Sequence, residues 1–122
     1  MALIHDDVFA AALNEVATAN QAEVRDASSS VLVDAITLDA SNFGAIGDNS
    51  SGGGRKRACL VSNASDMQNI SVNSAGSATK VALIDAGSVD LIVASIASSP
   101  KSLGASDQVN LSSFEVILKD PT

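Results

Sequence analysis

A catalytic or metal-binding site needs several reactive side chains gathered in one place, and this chain carries few. Its single histidine, His5, stands close to the N-terminus. A Ser-His-Asp triad would have only this base, in a position that little would hold rigid. Zinc sites take several His and Cys ligands, and the chain has one of each, His5 and Cys59. A lone cysteine forms no intrachain disulfide. Beside Ala58, Leu60 and Val61, Cys59 reads as a small buried hydrophobe; a thiol activated by Arg57 is the alternative. Asp6 and Asp7 are adjacent carboxylates, but at the start of a helix such pairs serve as caps and solvated charge. The glycines of Gly47-Asp48-Asn49-Ser50-Ser51-Gly52 have phosphate-loop spacing, yet Gly53-Gly54 follow where Lys and Ser or Thr would bind phosphate and magnesium. Asp39, Asp48, Asp85 and Asp90 fall near turns, where Asp is a turn former, and they fit no EF-hand. Four Asn-x-Ser sequons, beginning at Asn49, Asn63, Asn69 and Asn110, follow from the abundance of Asn and Ser. This inventory predicts no catalysis, no cofactor and no metal.

The one concentrated charge feature is Arg55-Lys56-Arg57. In a chain of net charge −7, it can pair with acidic groups of its own fold or contact another subunit. Three basic residues are too few to hold nucleic acid against that net charge. The acidity also opposes docking on an anionic membrane, and no apolar run approaches the roughly 20 residues that span a bilayer. Residues Met1 to Asp7 lack the basic region of a secretion signal, which predicts synthesis in a cytoplasm.

The elements that must position these residues are mainly β. Residues 1–20 form the exception, an N-terminal helical segment capped by Asp6 or Asp7 and stopped by Asn20. Val8, Phe9, Ala12, Leu13, Val16 and Ala17 fall on one stripe at the 3.6-residue period. From residue 22 to 122 the pattern turns to short apolar runs between Gly, Ser and Asn turns. Strands are predicted over Ala22–Asp26, Val31–Leu38, Ala58–Val61, Ile70–Asn73, Thr79–Asp85, Val89–Ile96 and Val109–Leu118. Residues 47–54 read as a flexible, exposed Gly/Ser loop, Ser28–Ser30 and Pro100–Gly104 as turns, and Ala86-Gly87 as a hairpin turn in which Gly supplies a positive φ. Both faces of Thr79–Asp85 are apolar, which marks an interior strand. Together these describe one domain: a small antiparallel β-sandwich or partly open barrel with one N-terminal α-helix.

Composition adds a physical constraint. Hydrophobic residues make up 46% of the 122 residues, but the aromatics are three Phe with no Trp or Tyr. Aliphatic side chains must therefore supply the core alone, and at roughly 25 cal/mol per Å² an Ala-rich core stabilises less per residue than a Phe-rich one. The chain is expected to be of limited stability, or to gain burial from copies of itself or from a partner.

Four stretches, in order, carry a resemblance. They are Ala10-Ala11-Ala12-Leu13-Asn14-Glu15-Val16-Ala17, Gly53-Gly54-Arg55-Lys56-Arg57, Ala78-Thr79-Lys80-Val81-Ala82-Leu83-Ile84-Asp85, and Phe114-Glu115-Val116-Ile117-Leu118-Lys119-Asp120-Pro121-Thr122. The chain resembles small virion structural proteins of tailed bacteriophages and prophages, departing from them around Arg25–Ser30. The resemblance implies a structural role in a virion without catalysis. The leading expectation is a capsid decoration or cement protein that stabilises the shell as a homo-oligomer, a trimer being favoured, in contact with the major capsid protein. A tail, connector or spike component is the second expectation. A host-surface binding module is the third, and the absence of Trp and Tyr counts against it. Neither nucleic acid nor membrane is expected as a partner. The residues expected at a subunit interface are Val8, Phe9, Leu13 and Val16 of the helix stripe, with Arg55, Lys56 and Arg57. Packing of that stripe on the chain's own sheet is the alternative.

Overall fold

The computed structural model describes residues 4–50, 53–61, 68–95 and 100–120, with Ala35 described by its backbone alone. Helix α1 spans Asp6–Val16. His5, not Asp6 or Asp7, is its cap: extended backbone places the ring so that Nδ1 accepts the Asp7 N–H at 3.1 Å. The two aspartates lie inside the first turn, where the helix dipole favours negative charge. The helix also ends before Asn20. Thr18 folds its hydroxyl back onto the Glu15 carbonyl at 2.7 Å, and the Asn20 N–H is taken by the Ile84 carbonyl, so a sheet claims the residues that would have extended the helix. Phe9, Leu13 and Val16 are buried at i, i+4 and i+7; Val8 and Ala12 are exposed.

Eleven strands are described: β1 Gln21–Arg25, β2 Val31–Thr37, β3 Phe43–Asp48, β4 Arg55–Cys59, β5 Ile70–Ser71, β6 Gly76–Ala78, β7 Lys80–Ile84, β8 Asp90–Ser95, β9 Lys101–Leu103, β10 Gln108–Val109 and β11 Phe114–Leu118. A four-stranded antiparallel sheet has the order β2-β1-β7-β8 and a three-stranded one the order β11-β4-β3. Two small ribbons, β10-β5 and β6-β9, complete the set. The sheets do not close into a barrel, and the fold is mainly β, consistent with a small sandwich carrying an N-terminal helix. The core draws Val24, Leu32, Val33, Ile36 and Leu83 from the first sheet, and Phe43 and Cys59 from the second. As expected, β7 is interior to its sheet.

Strand β2 buries residues of both parities, Leu32 and Val33 as well as Ile36, which a regular strand of a two-layer fold could not do. The register explains it. Ala22 pairs with Ile36 but Val24 with Val33, and Arg25 with Val31. Each step inserts one extra β2 residue, and each such bulge switches which parity faces the core.

Three expectations need correction. Gly87 does not supply the positive φ of the β7–β8 turn; Ser88 does, at 62°, while the Asp85 carboxylate accepts the N–H groups of Gly87 and Val89 and fixes the loop in place of glycine's freedom. Residues 101–103 are not a turn but β9, paired with β6. The last predicted strand is two: Gln108–Val109 joins β5 and Phe114–Leu118 joins β4, because the two partners belong to different sheets.

Residues 47–54 are also less open than expected. Gly47 and Asp48 finish β3, and Asn49 is buried. The Asn49 backbone N–H reaches the Gly54 carbonyl and its amide the Gly53 carbonyl. Gly54 has φ of 88°, and a β-carbon there would lie 1.8 Å from the Leu118 carbonyl oxygen. The glycines are needed because β11 passes against the turn. Ser51 and Gly52, Asn63, Ile96, and Pro121 with Thr122 lie outside the described residues.

Candidate interaction site

The basic triplet lies within β4, the middle strand of its sheet, and alternation sends its members to opposite faces. Arg55 and Arg57 share the face that meets α1. Arg55 stands 3.3 Å from the Asp6 carboxylate at the helix start and 3.8 Å from that of Asp48. Arg57 donates to the Gly44 carbonyl at 2.8 Å and, 3.0 Å away, to the Leu13 carbonyl in the last turn of the helix. Helix α1 has no basic residue in its own last turn. Arg57 supplies the cation from the sheet, satisfying a carbonyl that the helix cannot and complementing its dipole. Lys56, on the opposite face, is 3.5 Å from Glu115, and both side chains are partly exposed. The triplet therefore pairs within the chain, and the two arginines hold the helix at its two ends. Phe9, Leu13 and Val16 are buried in the same packing. Of the apolar residues expected at a subunit interface, only Val8 remains exposed, at 59%.

The face of the first sheet opposite Val24 carries a second charge cluster beside the buried Ala82 and Ile84. Arg25 of β1 makes two hydrogen bonds of 2.8 Å to the carboxylate of Asp90 at the start of β8 and one of 2.7 Å to Glu23. This ties β1 to β8 across the intervening β7. The Arg25 guanidinium holds the Asp90 carboxyl below the usual range, and the same bonds raise Arg25 above its ordinary value. Asp39 is held low by the hydroxyl and N–H of Ser41 and caps the short 3-10 turn Ala40–Asn42. Burial pushes the Cys59 thiol up to about 11, against the opposing charge of Arg57. A fully buried, protonated thiol packs as a hydrophobe. Among the described residues, no three His, Cys, Asp or Glu side chains gather to hold a metal, and no helix is long and apolar enough to cross a membrane.

The feature that sequence reasoning did not locate is a cleft of about 800 Å³ between the layers. Val24, Val81 and Ala94 line one wall. They are in register across β1, β7 and β8, so they form a single row of inward side chains. Leu60, Leu103, Val109, Leu111 and Phe114 line much of the rest, interspersed with the polar Ser95, Gln108, Asn110 and Ser112. Val81, Ala94, Leu103, Val109, Leu111 and Phe114 are only half-buried, although each packs against the core or faces the cleft. The charged residues in the lining are Lys101 and Glu115, one of each sign. A volume of this size with mainly apolar walls falls in the range of ligand and partner sites. Its sequence signal was indirect: a core without Trp or Tyr lacks large rings to fill the space between two sheets.

The row of the cleft wall ends at β8, which is an edge strand. The opposite edge, β2, is occupied: the N–H groups of Asn73 and Ser74 both reach the Leu32 carbonyl, and the Asn73 side chain accepts the Asp34 N–H. Beside β8, among the described residues, only β7 pairs with it. Val93 and Val89 on and before this strand are about half exposed, at 49% and 55%.

Comparison of the chain with protein-family models, curated proteins and solved structures returns no match. Among the described residues the site combines an edge strand that α1 also packs against, a cleft whose lining is half-covered, and charge clusters already paired inside the fold.

Proposed function

We propose that this domain is a non-catalytic structural component of a tailed-phage virion, acting as a capsid decoration or cement protein that stabilises the shell. The observation that carries the reading is the half-covered apolar cleft between the sheets. Apolar area left open in the monomer is area available to an assembly, at roughly 25 cal/mol per Å². The arginines are engaged within the chain, and the three Phe are buried or half-buried. That leaves little of the exposed aromatic surface typical of receptor-binding sites. The resemblance in the four motifs supplies the particle; the cleft supplies the reason to bind. The partner under this reading is the major capsid protein, with copies of the chain arranged as a trimer.

The test is cosedimentation of the purified domain with phage shells from its host that lack it. Saturable binding at a fixed ratio to the major capsid protein, with a rise in the temperature at which shells rupture, is the expected outcome. Shells that neither bind the domain nor change in stability refute the decoration role.

A further inference from the structure

We draw no further inference here: the strongest candidate, the half-covered cleft between the two sheets beside the β8 edge, carries none, because polar side chains are interspersed in its lining, its Glu115 is already paired with Lys56, and nothing in the structure shows what covers it.

Discussion

Replacing Arg57 by Met separates an internal clamp from a surface charge. Met keeps much of the aliphatic stem and removes the guanidinium. The loss comprises two short charge-assisted hydrogen bonds, at 2.8 Å to the Gly44 carbonyl and 3.0 Å to the Leu13 carbonyl, and a long, weak one of 3.5 Å to the Asn14 side-chain oxygen. Hydrogen bonds to charged groups contribute about 1.5–3 kcal/mol each when buried. Arg57 is half-buried, and water can re-solvate both carbonyls, which reduces the pair to about 2 kcal/mol together. The cation at the helix C-terminus adds about 0.3–1 kcal/mol. Arg57→Met is therefore expected to destabilise the isolated domain by about 2–3 kcal/mol, measured by urea unfolding followed by far-ultraviolet circular dichroism. Arg57→Lys, which reaches one carbonyl instead of two, should recover part of that. Lys56→Met, whose partner Glu115 is partly exposed, should change stability by less than about 0.5 kcal/mol. If Arg57→Met unfolds within 0.5 kcal/mol of the wild-type chain, or if Lys56→Met costs as much, the triplet is not an internal clamp and its charge acts outward.

Three further outcomes follow from the geometry. Gly54→Ala places a β-carbon 1.8 Å from the Leu118 carbonyl oxygen at φ of 88°; the backbone conformation alone costs about 1–2 kcal/mol, and the clash must open the end of the β4–β11 ladder, so a loss of at least 3 kcal/mol is expected in the same unfolding assay. The Asp90 carboxyl is held below its ordinary value by Arg25, so its contribution is present above the unfolded-state pKa and is lost as pH falls through the lowered folded value; Asp90→Asn should flatten this part of the acid limb of a stability–pH curve and destabilise the protein at neutral pH. Cys59, with its thiol pushed up to about 11 by burial, contributes fully below the ordinary thiol range and loses that contribution as pH rises toward 11; a thiol reagent at pH 8 should label it only at the rate of unfolding, and rapid labelling of the native chain would contradict its burial.

Much of the fold was legible because it depends on local pattern. The stripe through Val8, Phe9, Ala12, Leu13, Val16 and Ala17 marked the helix, although Val8 and Ala12 lie exposed, and the two apolar faces of Thr79–Asp85 marked an interior strand. What escaped depends on partners distant in sequence. Strand β2 reads as loose alternation because two bulges, set by β1, switch its faces. Residues 101–103 look like a turn after Pro100 until β6 supplies a ladder. Arg55 and Arg57 were visible as a charge cluster, but only the third dimension reveals that a strand and a helix lie side by side with two arginines at the helix ends. The cleft had no motif at all. Its lining comes from segments distant in sequence, Val24, Val81 and Ala94 on one side and Leu60, Leu111 and Phe114 among the rest.

The virion reading is tested most directly by quantitative mass spectrometry of purified phage particles from the host that makes this chain, counting its copies against the major shell protein. A decoration or cement protein is predicted to be present in hundreds of copies, comparable with the shell protein itself. A few dozen or fewer would move the chain to a connector, spike or tail, and its absence from the particle would contradict the virion assignment.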